Sequence, residues 1–112
     1  MSFFDSDLVK EEIGKISRLQ EEIYGDIFKF HSMTKDEKLD HVKSLEDLLQ
    51  MQQVLYTRLS LSEDKDAKRM KEDIANSALL MGLPANVDMN VMFKNMELLL
   101  KNMRDQIDME SK

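Results

Sequence analysis

The 112-residue sequence contains no cysteine and no tryptophan, one proline and three glycines. Without cysteine it can form no disulfide framework, no thiolate-held zinc or iron–sulfur site and no catalytic thiolate. So few glycines and prolines cannot supply the turns that a β-sandwich or barrel needs every 8–12 residues or so. No apolar run approaches the roughly 20 residues of a membrane-spanning helix. These absences predict an all-α protein that does not enter a membrane.

Positive charge is also scarce: 16 Lys and Arg stand against 22 Asp and Glu, for a net charge of −6. No segment of the chain is basic, and binding to a phosphate backbone depends on clustered Lys and Arg. We therefore expect no direct binding of nucleic acid. Residues 1–7 have neither a basic region nor a long apolar run, which predicts that no secretion signal is present and that the protein is cytoplasmic.

Apolar residues recur at spacings of three and four in four segments, which predicts four helices. The segments run from about residue 5 to 30, 34 to 60, 63 to 81, and onward from residue 88. Short connections favour antiparallel neighbours, so we expect one domain, residues 1–112, folded as an antiparallel bundle of about four helices. At 1.5 Å per residue the first two helices would be about 39 Å long and the last two about 30 Å.

Capping signals predict where these helices begin. Asp5 is the expected N-cap of the first helix and Asp88 that of the fourth. Thr34 and Glu37 have the spacing of a capping box, in which each side chain accepts a hydrogen bond from the other residue's backbone N–H. The two shorter helices cannot cover the apolar stripes of the two longer ones. This mismatch predicts apolar surface left over for a second copy, in a homodimer, or for another protein partner.

Methionine is the abundant residue, with 10 in the chain and six at or beyond residue 81. Because its side chain is flexible and polarizable, methionine suits adaptable binding surfaces, although a methionine stripe at helical spacing is also typical of an ordinary core. Phe3 and Phe4, near the N-terminus, could likewise either pack against the first helix or dock on a partner. The candidate interface residues are Phe3, Phe4, Met81, Met92, Met96 and Met103.

Catalytic and metal-binding patterns are missing. A di-iron bundle needs Glu-x-x-His pairs, but Phe28 precedes His31 by three residues and Lys38 precedes His41 by three. Glu37 and His41 form one i,i+4 pair, which cannot hold a metal alone, and we expect His41 to be solvated or to stabilise its helix. There is no glycine-rich phosphate loop and no nucleophile elbow. We therefore expect no enzyme activity, no cofactor and no metal.

The opening MSFFDSDLVKEE (residues 1–12) resembles that of a cyanobacterial family of short helical proteins, with members in cyanophages, classed as a domain of unknown function. Later landmarks of that family are similar to LSED (61–64), GLP (82–84) and the segment from MFKNM (92–96) through Met103. The resemblance implies a helical protein of the cyanobacterial cytoplasm, or of the host cytoplasm if a phage encodes it. It implies no activity and no functional residue.

These observations favour a non-enzymatic protein-interaction module, or a small regulator or adaptor, that forms a homodimer and docks on an unknown protein. One alternative is a helical bundle that binds a ligand or metal through acidic residues and His41. Another is an acidic protein that mimics nucleic acid, although the negative charge is spread along the chain.

Overall fold

A computed structural model describes residues 3–80 and 88–110, with the backbone alone for 77–79. Every element in these ranges is helical, and the expected all-α, bundle-like architecture is confirmed. A 3-10 turn (Phe3–Asp5) precedes α1, and a 3-10 segment (Ile27–Ser32) follows it. The α-helices are α1 (Asp7–Asp26), α2 (Lys35–Leu61), α3 (Lys65–Leu80) and α4 (Met89–Met109).

Two helices begin at the caps that the sequence predicts. At α2, the Thr34 hydroxyl accepts a hydrogen bond from the Glu37 N–H, and the Glu37 carboxylate accepts one from the Thr34 N–H, both at 3.2 Å. At α4, the Asp88 carboxylate accepts a hydrogen bond from the Asn90 N–H at 2.9 Å. Each cap satisfies backbone donors that the first helical turn leaves without partners.

The first helix is shorter than predicted. Its N-cap is Ser6, whose Oγ accepts a hydrogen bond from the Val9 N–H, so the assignment of Asp5 as the cap was wrong. The α-helical part ends at Asp26 and continues as the 3-10 segment, where Gly25 and the β-branched and aromatic residues after it lower helix propensity. With 20 residues in α1, 27 in α2 and 21 in α4, only α2 is long.

α1 runs antiparallel to α2 and packs along one side of it. Near the start of α1, Glu12 accepts a hydrogen bond from the Arg58 Nε at 2.9 Å, close to the end of α2. Beyond the other end of α1, the Phe30 ring lies 5.5 Å from the His41 ring near the start of α2. The start of α1 thus lies beside the end of α2, and the end of α1 beside the start of α2, which makes the two helices antiparallel.

α4 packs along the other side of α2, again antiparallel. Lys38 at the start of α2 forms a 3.1 Å ion pair with Glu110, just beyond the end of α4. Nearer the middle of both helices, the Gln53 amide donates a hydrogen bond to the Glu97 carboxylate at 2.8 Å. α2 is therefore the central helix.

α3 packs on α2 and on the N-terminal 3-10 turn. It starts at Lys65, two residues later than expected, and the Asp64 carboxylate binds its first turn by accepting from the Asp66 N–H at 3.2 Å. The same carboxylate oxygen accepts a hydrogen bond from the Phe3 N–H at 3.0 Å. Asp64 therefore holds the N-terminal turn against the start of α3, beside the fully buried Ala67.

The core of the described chain is small for its length. Its buried apolar residues are Val9, Ile16, Ile23, Val42, Leu49, Leu59, Ala67 and Ile107. The radius of gyration is 16.3 Å, against about 13 Å for a compact domain of this size. The principal extents are 53 × 32 × 20 Å, and a helix with its side chains is about 10–12 Å across. The helices thus form a flat assembly at most about two helices thick.

Within residues 3–80 and 88–110, no helix combines the length and the apolar character needed to cross a membrane.

Candidate interaction surface

The central helix α2 and its neighbour α4 carry matching apolar stripes on the same side of the molecule. In both helices the residues alternate between spacings of three and four, which keeps them on one helical face. We define the apolar face by these eight positions: Leu45, Leu48, Gln52 and Leu55 on α2, and Met92, Met96, Leu99 and Met103 on α4.

Two adjoining grooves follow the apolar face. The smaller, of about 240 Å³, lies between α2 and α4 and is lined by Leu45, Leu48, Leu49, Gln52, Met96, Leu99, Leu100 and Met103. The larger, of about 390 Å³, extends from Gln52 and Met96 towards α3 and the N-terminal turn. Its other lining residues are Phe3, Phe4, Ile16, Leu55, Tyr56, Leu59, Met70, Ile74, Met89, Met92 and Phe93.

Because Gln52 and Met96 line both grooves, the two grooves form one surface that follows α2 from Leu45 to Leu59 and α4 from Met89 to Met103. In the smaller groove, Gln52 is the single polar side chain. In the larger, it shares that role with Tyr56, whose ring packs edge-on against Phe93 at 5.8 Å between centroids. The surface is therefore almost wholly apolar, with one amide at its middle.

The opposite side of the same helix pair is polar. There Arg104 forms an ion pair with Glu46, and Gln53 donates its hydrogen bond to Glu97. The side chains on this side meet partners of complementary charge or polarity from the neighbouring helix. The α2–α4 pair thus separates its polar contacts from its apolar ones, as amphipathic helices do when one side faces water and the other is covered.

Exposure on the apolar face is greatest at two positions of α4. Leu99 has 63% of its surface exposed and Met96 has 40%, although both border the smaller groove. A leucine exposed on its own is ordinary. Here, however, the exposed residues border a continuous apolar groove, and such patches on soluble proteins mark interaction sites.

The N-terminal phenylalanines close one end of the larger groove. Phe3 and Phe4 are half-buried and pack against each other edge-to-face, with 5.1 Å between ring centroids. The hydrogen bond from Phe3 to Asp64 fixes this pair beside α3. Both rings are held in place while each keeps part of its surface open to the groove.

Of the six predicted interface residues, the structure brings five to this surface. Phe3, Phe4, Met92 and Met96 line the larger groove, and Met103 joins Met96 in the smaller one. Met81 lies outside the described residues. Whether these residues bind a partner stays a prediction. The sequence-based interface candidates left out Leu48 and Leu99. Leu99 lies on the apolar stripe that periodicity predicts for the fourth helix, and heptad-like spacing could have revealed Leu48.

His41 was expected to be solvated or to stabilise its helix, and the expectation of a solvated side chain was wrong. Its side chain is only 8% exposed because the 3-10 segment folds back and places the Phe30 ring against it. His41 also lines a cleft of about 480 Å³ whose carboxylates are those of Glu22, Asp26, Glu37 and Asp40. In the part of the chain that the structure describes, no three His, Cys, Asp or Glu side chains are arranged to hold a metal ion.

Residues 1–107 match the protein-family model described as "Domain of unknown function (DUF1825)". The chain belongs to the DUF1825 family. This confirms the expected membership of a family of unknown function. The matched residues include both stripes of the apolar face, so this surface is part of the DUF1825 domain. No curated protein and no solved structure matches the chain.

Proposed function

We propose that this DUF1825 protein is a non-enzymatic interaction module, a small regulator or adaptor, that works as a homodimer. The observation that carries the proposal is the open apolar face between α2 and α4, with its two grooves and the 63% exposed Leu99. A second copy of the chain is the partner that covers this face. Following the resemblance of its sequence, we place the protein in the cytoplasm of a cyanobacterial or phage-infected cell.

The exposed area of the chain supports a second copy as the occupant. A folded monomer of 13.1 kDa has an accessible surface of about 6,400 Å² by the usual scaling with mass. This chain exposes 8353 Å², roughly 2,000 Å² more than that scaling gives. Obligate homodimers cover on the order of 1,000–2,500 Å² on each partner. An excess of this order, to which the flat shape of the assembly also contributes, is large enough to include a subunit surface that a stable dimer buries.

Light scattering across a dilution series tests the dimer. We expect a mass of twice 13.1 kDa at high concentration, falling towards 13.1 kDa only on dilution. The double variant Met92→Asp, Met96→Asp should remain folded by circular dichroism and scatter as a monomer. A wild-type protein that is monomeric at every concentration would contradict the proposal, as would a double variant that unfolds, because its methionines would then be core residues.

Ligand binding is the second candidate function, and the cleft beside His41 is the observation that favours it. Four carboxylates line this cleft against the single ammonium group of Lys29, so a ligand there would carry positive charge. Elemental analysis of the purified protein, with thermal unfolding before and after dialysis against a chelator, tests the metal version of this role. A metal-free protein whose unfolding temperature is unchanged by the chelator would remove that version.

A further inference from the structure

We infer that Gln52 sets the register of the dimer, with the α2 helices of two copies pairing antiparallel so that the two Gln52 side chains meet at the two-fold axis. This inference rests on the proposed function, because it specifies how a second copy covers the apolar face. It identifies the residue at the centre of the interface and the reason why a glutamine stands there.

The position of Gln52 on the face is central. It lines both grooves, with the smaller one towards the start of α2 and the larger one towards its end. Leu48 precedes it by four residues and Leu55 follows it by three, on the same helical face. Antiparallel pairing about Gln52 therefore sets Leu48 of one copy against Leu55 of the other. In a two-fold interface, the residue on the axis meets itself.

A polar group at this position needs a partner once the face is covered. Gln52 is half-buried, and within the described ranges its amide takes part in no hydrogen bond. Covering it with apolar side chains would leave its donor and acceptor unsatisfied, which opposes association. Two glutamines that meet at the axis resolve this, because each Nε2–H can donate to the Oε1 of the other.

The neighbouring residue shows that this need is specific to position 52. Gln53 lies on the polar side of the helix pair, and its amide already donates to Glu97 at 2.8 Å. Of two adjacent glutamines, one is therefore satisfied within the chain and the other faces the apolar surface without a partner. A single polar residue in an apolar helical interface is a recurrent device for fixing register, at some cost in stability.

Disulfide crosslinking tests the inference directly, since the chain has no cysteine of its own. A bond between two introduced cysteines requires their Cα atoms to lie within about 4.4–6.8 Å. Under mild oxidation of the dimeric protein, we expect Gln52→Cys to give a covalent dimer and the control Gln53→Cys to remain monomeric on a non-reducing gel. A mixture of Leu48→Cys and Leu55→Cys chains should form the mixed dimer in preference to either self-paired one.

A charged residue at position 52 provides a second test, in which the dimer dissociation constant is measured without crosslinking. Gln52→Glu places two carboxylates face to face, so we expect the dimer dissociation constant to rise about a hundredfold at neutral pH. Acidification that protonates both carboxyl groups should restore association. Gln53→Glu should change the dissociation constant by less than about threefold, as expected for a charge at the rim.

The outcomes separate the inference from the proposed function. If the wild type is dimeric but Gln52→Cys does not crosslink, or Gln52→Glu associates as well as Gln53→Glu, the inference is overturned and the homodimer stands. If the mixed Leu48 and Leu55 disulfide forms no more readily than the self-paired ones, the antiparallel arrangement is wrong. If the wild type is monomeric throughout, both the inference and the proposed function fail.

Discussion

Replacing Leu99 by glutamate tests whether the exposed edge of the apolar face belongs to an interface. Within a single chain, 63% of Leu99 is open to solvent, so a glutamate there loses little packing. Surface substitutions of this kind usually change stability by no more than about 0.5 kcal/mol. In the proposed dimer, by contrast, the same position would border a groove that the second copy fills. The substitution should therefore leave folding intact and weaken association.

The expected change in the dimer dissociation constant follows from the exposed fraction of the Leu99 side chain. Full burial of a leucine contributes about 1.5–3 kcal/mol, so covering the remaining 63% contributes about 1–2 kcal/mol in each copy. Two-fold symmetry counts this loss twice, giving about 2–4 kcal/mol for the dimer. Since 1.4 kcal/mol is about tenfold in affinity, the dissociation constant should rise by at least about 30-fold. The desolvation of two carboxylates adds to this.

Leu98→Glu is the matched control. Leu98 is the adjacent residue on the same helix and is 59% exposed, but it lies about 100° further around α4 and borders neither groove. Sedimentation velocity should show that Leu98→Glu retains the wild-type dissociation constant while Leu99→Glu becomes monomeric, with equal helicity for both by circular dichroism. Equal association of the two variants would refute the assignment of this face to the interface.

Three further predictions concern stability, each measured by urea unfolding at one fixed protein concentration because the proposed association would contribute to the midpoint. Val42→Ala removes buried methyl groups at a position with 0% exposure, and should cost about 2 kcal/mol; an unchanged midpoint would contradict the packing of α2. Thr34→Ala removes the hydroxyl that accepts from the Glu37 N–H, and should cost about 1 kcal/mol. Asp64→Ala removes an acceptor for the Phe3 and Asp66 N–H groups. It should cost about 1–2 kcal/mol and increase hydrogen exchange in the N-terminal turn.

The features that could be predicted from the sequence are those that neighbouring residues determine. The capping box of Thr34 and Glu37 and the Asp88 cap involve residues within three positions of each other, so their side chains and spacing were sufficient. Helical periodicity likewise depends on local spacing, and it located all four helices. The N-cap of α1 was misjudged because Asp5 and Ser6 are both good capping residues and local rules do not choose between them.

Features that depend on distant contacts could not be predicted in the same way. The burial of His41 depends on the 3-10 segment bringing Phe30 back over α2, which no local pattern encodes. The candidate site was predicted only in part for a similar reason. Met92, Met96 and Met103 lie on one stripe of α4, but which side of that stripe remains open depends on where α4 sits against α2. The exposure of Leu99 followed only from that placement.

Methionine oxidation measures most directly whether a second copy covers the apolar face. Met96 and Met103 border the smaller groove, whereas Met109 is 69% exposed and borders neither groove. Met109 therefore serves as an internal control for the oxidation rate of an uncovered methionine. Dilute hydrogen peroxide converts accessible methionines to sulfoxides, which mass spectrometry quantifies residue by residue. We predict that Met96 and Met103 react more slowly than Met109 in concentrated protein and accelerate on dilution while the Met109 rate stays constant. Rates for Met96 and Met103 that do not change with protein concentration would contradict the account.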